Sequence, residues 1–580
     1  MLTWKRNQNG FFLSGSSYTA SLVLEPNPVL SIGFDGKDLF AVPLISCLDT
    51  VDAKETFSGF HLRELNDGEA AAVVLDGDSS IWTRHTAFWT FEADRISFRH
   101  EVLGNHNPGR CWFFSTGAPT TYSPGDSMGY SMNLRVNTPW YRSFAPNLAN
   151  VVAFGTAQSS FVGYSASEQQ SNRGQGLSHD SVFSPPPLCY SFFDGETNGL
   201  IGIGTEPDGY RFNGLEFTGC QKDGAGLYVN YLGYTENRSL FRAPEALICF
   251  GYSSYDCLKQ YVTWLDAKGF STFRSSPNPD WHREPVFCGW AEQTSTQRIS
   301  GVSASSLCTQ ENYEKWISVL EERGIPVGTI VIDDKWQKSY GTMEIDHEKW
   351  PDMPGFVSAQ HAKGRHVLLW IPALHPEGVP ESLCVRDENR RCLFGDCGTP
   401  GYDRFLENGV RRLILETDID GFKEDWLFHS VSVPNLNGYG ALHGIELIRG
   451  FQKTVYNTLH KCKPDGLLET QTPNPLFRDC SDVLRLNDIF FATRNVPEMM
   501  RDRARIARLA GWNLLDCDNA SSTTLEQWFR YAQLQVKLGT PSLYFLNETE
   551  SFHEQIPDSM IAYLRSLWEQ YREEQGLSLN

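Results

Sequence analysis

Two aspartates stand out by what lies around them. In Lys423-Glu424-Asp425 an extended chain puts the lysine and Asp425 on one face and Glu424 on the other, because strand side chains alternate. A neighbouring ammonium favours the ionised carboxylate, which suits a nucleophile. Asp488 follows 488 − 425 = 63 residues later. A second carboxyl held about 5–5.5 Å from the first allows double displacement at an acetal carbon: one group attacks, while the other protonates the leaving oxygen and then deprotonates water. Asp425 is therefore read as the nucleophile and Asp488 as the acid/base, with Asp479 and Asp482 as the alternative acids. Taken alone, K-x-D is also a surface ion pair and Asp488 a helix cap.

A second constellation is Asp333-Asp334-Lys335-Trp336. Adjacent acids at a strand end can grip two hydroxyls through charge-assisted hydrogen bonds. The rival reading is a divalent metal completed by Asp516 and Asp518, for which no loop motif is present. Trp290, Trp336 and Trp370 offer apolar faces to sugar C–H edges, with core packing as the alternative for Trp370. Glu469, Gln471 and Arg485 join the candidate binding set as polar residues at further strand ends. His347, His361, His366 and His375 fit no zinc spacing and read as structural or rim residues. Arg411-Arg412 and the basic run 501–505 read as solvated helix faces. No cofactor and no metal is expected.

These side chains need a scaffold that gathers strand ends. Eight short apolar runs follow residue 286: 287–292, 329–334, 366–371, 421–426, 466–470, 483–488, 512–518 and 541–546. Amphipathic stretches such as 312–323 and 442–460 lie between them, and 561–574 follows the last. Strand then helix, eight times, spells a (β/α)8 barrel over 286–580, and the polar residues collect where a barrel builds its active site. An open doubly wound sheet is the alternative. Residues 1–270 read differently. Short runs at 21–25, 29–33, 71–75, 87–91, 151–154, 200–203 and 226–229 alternate with turn residues, including Asp-Gly at 35–36, 67–68 and 76–77. That is a β-sandwich, closed by a helix over 256–269. The polar, proline-bearing stretch 271–285 is the linker.

Composition narrows the partners. Hydrophobic residues make up 41% and charged residues 21% of the 580, which excludes a largely disordered chain. The net charge of −20 repels phosphate backbones and anionic bilayers, so neither nucleic acid nor membrane is an expected partner. A glycoside or oligosaccharide is, and assembly into a homo-oligomer stays open. The 14 cysteines form no C-x-x-C pair. Residues 1–10 lack the apolar core of a signal peptide, so a cytoplasmic location with free thiols is expected.

At the level of motifs, the chain resembles the clan of retaining α-glycosidases that holds glycoside hydrolase families 27, 31 and 36. The α-galactosidases of family 36 and the raffinose-synthase-like proteins look closest. The resemblance covers about 286–550. It rests on Val331-Ile-Asp-Asp-Lys-Trp-Gln337, similar to I-D-D-G-W-Q; on Trp350-Pro351 and His366–Trp370; on Lys423-Glu-Asp425, similar to K-W-D; on Leu486-Asn-Asp488, similar to a terminal S-D; and on Gly539–Tyr544. It implies Asp425 as nucleophile and Asp488 as acid/base. It also implies Asp333, Asp334 and Lys423 as binders of sugar hydroxyls, and Trp290 and Trp370 as subsite walls. The implied activity is exo-acting, retaining hydrolysis of terminal α-galactoside-like sugars. Transfer to a sugar acceptor and non-catalytic sugar binding are the alternatives. Three departures are visible: Lys335 replaces a glycine, Glu424 a tryptophan, and 469–475 a Cys-Ser-Gly-Gly segment that shapes recognition near the sugar 2-position.

Overall fold

The computed structural model describes residues 2–577 apart from 7–9, 25–27, 68–70, 117–133, 137–139, 145–151, 154–182, 184, 221–223, 275, 427–435, 437–439, 489–494, 519–523 and 550–551. In the amino-terminal region, Gly10–Ser14, Thr19–Val23, Val29–Phe34 and Lys37–Pro43 form an antiparallel meander. It faces a larger antiparallel sheet that includes Ala71–Ser79, Arg84–Phe91, Arg95–Leu103, Asn198–Gly204 and Glu245–Gly251. Alternating apolar residues meet between the sheets. Phe34 stacks on Phe250 with centroids 5.8 Å apart, Phe40 sits edge-on to Phe192 at 5.6 Å, and the Trp89 indole donates to the Leu44 carbonyl at 2.7 Å. This is the expected sandwich.

The Asp-Gly pairs behave differently from one another. Asp35 and Gly36 both have positive φ, +49° and +76°, as a two-residue hairpin turn requires. The pair at 67–68 runs into residues outside the described set. Asp76-Gly77 is not a turn: it lies within Ala71–Ser79. A Cβ at Gly77 would come within 2.5 Å of Ile45 and 2.8 Å of Phe57, so glycine is there for close packing.

The second half is the barrel. Its parallel strands are β1 (Val286–Cys288), β2 (Thr329–Ile332), β3 (His366–Pro372), β4 (Gly421–Asp425), β5 (Leu467–Thr470), β6 (Val483–Arg485), β7 (Leu515–Asp516) and β8 (Ser542–Leu543), hydrogen-bonded in that order with β8 beside β1. A parallel bridge between Asp516 and Thr540 joins β7 to the entry of β8. Each sequence run overlaps its strand, with Val286 and Pro372 one residue outside their runs. The runs overreach at their ends, because β1 stops at Cys288 and Trp290–Ser300 is already helix. Glu292 thus sits on that helix rather than on a strand end. There it accepts from the Leu546 amide at 2.7 Å and the Asn547 side chain at 3.0 Å, tying the exit of β8 to the first helix.

One repeat departs from strand-then-helix. Only a single 3₁₀ turn, Pro475–Phe477, separates β5 from β6. The amino-terminal region packs there. Helix Ser254–Lys268, capped by Ser253 and ended by Gly269 at φ +72°, lies against helix Val496–Leu509. Asn474 donates to the Pro186 carbonyl at 2.8 Å, Thr272 donates to the Leu476 carbonyl at 2.9 Å, and Arg478 pairs with Asp266. Arg142 pairs with Asp502 at 2.7 Å. No described helix is long and apolar enough to cross a membrane, and the described cysteines, Cys47 and Cys111 among them, are free thiols.

Glu424 points outward from β4 into the layer between barrel and helices. It is fully buried, and neither carboxyl oxygen has a hydrogen-bond partner among the described residues. Burial, then the charge of Asp425, pushes it well above the usual carboxylate range. Ionisation therefore costs more in the folded than in the unfolded chain. The penalty is absent below the unfolded value of about 4.3 and grows as pH rises above it. Glu424→Met is expected to raise stability by about 1–3 kcal/mol at pH 7, with a smaller gain near pH 4. Urea unfolding at the two pH values checks this; a loss at pH 7 contradicts it.

Candidate active site

The carboxyl ends of β1, β2, β4, β6, β7 and β8 feed one buried polar network. Lys423 on β4 donates to Asp333 Oδ2 at 2.8 Å and to the Tyr544 hydroxyl at 2.8 Å. The Tyr544 hydroxyl in turn donates to Asp518 Oδ2 at 2.6 Å. Arg485 Nε donates to the same Asp518 oxygen at 2.8 Å, and Nη2 donates to Asn487 Oδ1 at 2.9 Å. Lys423 and Asp333 are almost fully buried. Burial opposes the lysine's charge, but Asp333 outweighs it and holds Lys423 above the usual lysine range. Asp518 is held below the usual carboxylate range: burial pushes upward, and Arg485 and Lys423 prevail. Deeper in the barrel, burial and then the charge of Glu469 push Asp516 well above the usual carboxylate range.

The structure corrects the expected pairing inside Lys423-Glu-Asp425. The lysine reaches Asp333 across the barrel, and the cation within ion-pair range of Asp425 is Arg485, whose Nη1 is 3.6 Å from Asp425 Oδ1. The other Asp425 oxygen accepts the Trp370 indole N–H at 2.9 Å. Asp488 lies just beyond β6. Its amide donates to Asn487 Oδ1 at 2.7 Å. Burial, reinforced by the charges of Asp518 and Asp425 and opposed by Arg485 and Lys423, pushes its carboxyl up to about 6. The two aspartates therefore sense each other's charge at one barrel mouth. The alternative acids do not reach it. Asp482 precedes β6 and binds Arg274, His460 and the Leu468 amide at the opposite end; Asp479 pairs with Arg449 at 2.7 Å.

Asp334 faces an aromatic group that sequence reasoning missed. Tyr340 donates to Asp334 Oδ1 at 2.8 Å. Its ring lies 5.9 Å from Trp370, 5.1 Å from Trp426 and 4.7 Å from His375. Lys335, the departure from the glycine pattern, clamps this tyrosine. Its ammonium sits 4.1 Å from the ring centre and 2.8 Å from Glu377, which also accepts the Tyr340 amide at 2.9 Å. Burial pushes Asp334 up to about 7; the Tyr340 hydrogen bond opposes the rise, and the charge of Asp333 adds to it. Below that pH Asp334 is a neutral acid that can donate as well as accept. The adjacency of Trp426 to Asp425 was a usable signal. Tyr340 gave none, since it sits in a loop with no periodicity.

Other expected binders play supporting parts. Trp336 is fully buried and its indole donates to the Trp370 carbonyl at 2.7 Å, so it is core beneath the site, not a sugar-facing wall. Glu469, Gln471 and Arg485 are likewise buried. Glu469 lies 3.3 Å from Arg485, and Gln471 accepts from Asn487 at 2.5 Å. They hold the carboxylates rather than line a surface. Trp290, at the start of the first helix, packs partly buried against the core. Among the described residues no group of three or more His, Cys, Asp or Glu is arranged to hold a metal ion.

Residues 296–427 match the model for the glycosyl hydrolases family 31 TIM-barrel domain. No curated protein matches the chain. Three solved structures share the fold at low identity. A family 31 sulfoquinovosidase from E. rectale has TM-score 0.55 and 11% identity over 98% of this chain and 82% of that one. A family 36 α-galactosidase from Geobacillus stearothermophilus has TM-score 0.53 and 11% identity over 99% and 86%. A family 31 α-xylosidase from a soil metagenome has TM-score 0.50 and 12% identity over 99% and 84%. The domain match and the shared sandwich-then-barrel fold support the resemblance to the clan of retaining α-glycosidases without choosing a family inside it.

The two lysines at the site separate by environment. Lys423→Met leaves Asp333 buried without its cation and is expected to cost about 3–5 kcal/mol. Lys335→Met breaks a rim pair and is expected to cost under about 1 kcal/mol. Chemical denaturation of both variants checks the contrast; equal costs would contradict the assigned geometry.

Proposed function

We propose that the chain is a retaining, exo-acting α-glycosidase in which Asp425 is the nucleophile and Asp488 the acid/base. The observation that carries this reading is the unequal treatment of the two carboxyls around Arg485. Asp425 receives the Trp370 indole N–H and lies beside the guanidinium, so it is oriented as an acceptor. Asp488 is pushed up to about 6, so it keeps a proton to give in mildly acid solution. An Asp425 oxygen attacks the anomeric carbon as the bond to the leaving oxygen breaks, and that oxygen takes the Asp488 proton. Water then loses a proton to Asp488 and attacks the same carbon. The Asp425 ester breaks and the sugar leaves with retained configuration.

Terminal α-galactosides are the first substrates of this proposal, on the Asp333-Asp334-Lys-Trp-Gln segment. The neighbouring folds widen the test to α-xylosides, α-glucosides and sulfoquinovosides. Asp334 and Tyr340 receive the sugar hydroxyls and Trp426, only partly buried, supplies apolar surface, while the buried Trp370 orients Asp425 from behind.

An aryl α-glycoside panel tests the reading. Asp425→Ala is expected to lose at least about 10⁴-fold in kcat, with azide rescue giving the inverted glycosyl azide. Wild-type kcat/KM is expected to fall above about pH 6, because the form lost there is the proton-donating Asp488; Asp488→Asn removes that limb. Sugar binding with no turnover across the panel, or undiminished activity of Asp425→Ala, refutes the proposal. A product assay with added sugar acceptor measures transfer against hydrolysis.

A further inference from the structure

Arg503 contradicts its sequence reading. It belongs to the basic run 501–505 on helix Val496–Leu509, where Arg501 and Arg505 are exposed. Arg503 is fully buried. One of its guanidinium nitrogens, Nη1, donates to the carbonyls of Leu486, Asn487 at 2.6 Å and Asp488 at 3.0 Å. Those are the three residues that carry the chain from the end of β6 to the acid/base.

That short segment needs external support. It lies past the β6 ladder, and Asn487 has φ +60°, a conformation uncommon for a side-chain-bearing residue. On the barrel side, the Asn487 amide donates to Asp518 at 2.9 Å and the Leu486 amide to the Asp516 carbonyl at 2.8 Å. On the helix side, three carbonyls converge, and buried carbonyls left without donors are costly. Arg503 supplies the donors. Above its guanidinium lies the ring of Phe183, 5.5 Å from Cζ, and Phe183 is itself fully buried. Phe183 comes from the amino-terminal region.

We propose that Arg503 is the positioning residue of the acid/base: by gathering the carbonyls of residues 486–488 it sets where Asp488 presents its carboxyl, and Phe183 makes the amino-terminal region part of that support. This rests on the reading of Asp488 as acid/base. Asp425 is held separately, by β4, Trp370 and Arg485, so a change at Arg503 strikes proton donation and spares nucleophilic attack.

Leaving-group dependence tests this. Aryl α-glycosides with a good leaving group, such as dinitrophenolate, need little protonation, whereas alkyl glycosides of the same sugar need it fully. Arg503→Met is expected to lower kcat/KM on the alkyl glycoside by about 10²-fold while the dinitrophenyl substrate stays within about 10-fold. The alkaline limb of the pH profile is expected to move, and Arg503→Lys to recover part of the loss. Phe183→Ala is expected to show the same split, more weakly, and serves as the deciding variant if Arg503→Met does not fold. Equal losses on both substrates, or none on either, overturn the proposal. Asp488→Ala runs alongside. If it lacks the leaving-group split, the acid/base reading itself falls and takes this inference with it; if it shows the split and the Arg503 and Phe183 variants do not, only the positioning role falls.

Discussion

A guanidinium sealed inside a barrel mouth dictates much of what surrounds it. Arg485 is fully buried, and a buried cation without compensating charge and acceptors is not tolerated. Asp518 at 2.8 Å, Glu469 at 3.3 Å and Asp425 at 3.6 Å supply the charge, and the Glu424 carbonyl and Asn487 side chain accept further N–H groups. These partners come from β4, β5 and the segments after β6 and β7. One side chain therefore ties together the strands that bear the two proposed catalytic carboxyls. Lys423 does the same for β1, β2, β4 and β8 through Cys288, Asp333 and Tyr544.

The network distributes charge unevenly, and that unevenness is what chemistry can use. Asp518 is held ionised by the two cations, whereas burial pushes Glu469 up to about 7 although it lies 3.3 Å from Arg485. Carboxyls farther along the mouth lose water without gaining a full counter-charge, so Asp488 and Asp334 move up to about 6 and about 7. Two backbone positions next to the proposed catalytic groups are also unusual: Trp426 after Asp425 and Asn487 before Asp488 both have positive φ, +55° and +60°. Such conformations cost about 1–3 kcal/mol and persist where surrounding contacts over-determine them. Asn487 uses its amide, side-chain oxygen and side-chain nitrogen at once.

The amino-terminal region is a structural neighbour of this chemistry. It meets the barrel where the fifth helix is reduced to one 3₁₀ turn. Tyr255 of its closing helix lies under Arg505, with the guanidinium 3.5 Å from the ring centre. Two arginines of the basic run thus meet aromatic rings of the amino-terminal region: exposed Arg505 stacks on Tyr255 and buried Arg503 lies under Phe183.

The residues by themselves determined the architecture. Eight apolar runs became eight parallel strands, because a strand covered on both faces must be apolar throughout, and such a pattern is visible without coordinates. The polar residues at the run ends were visible for the same reason, and so was the clustering of Asp333, Lys423, Asp425, Arg485 and Asp488 at one mouth. Partner choice was not. That Lys423 answers Asp333 rather than Asp425, that Trp336 is core, that Tyr340 holds Asp334 and that Arg503 turns inward all depend on distances across the barrel. The missing fifth helix is invisible from 471–482 alone, since that segment packs on the distant amino-terminal region through Asn474 on Pro186 and Arg478 on Asp266. Alternation along a strand is a local property, fixed by backbone geometry. Which charge meets which is decided only when closure brings distant strand ends together and removes the water between them.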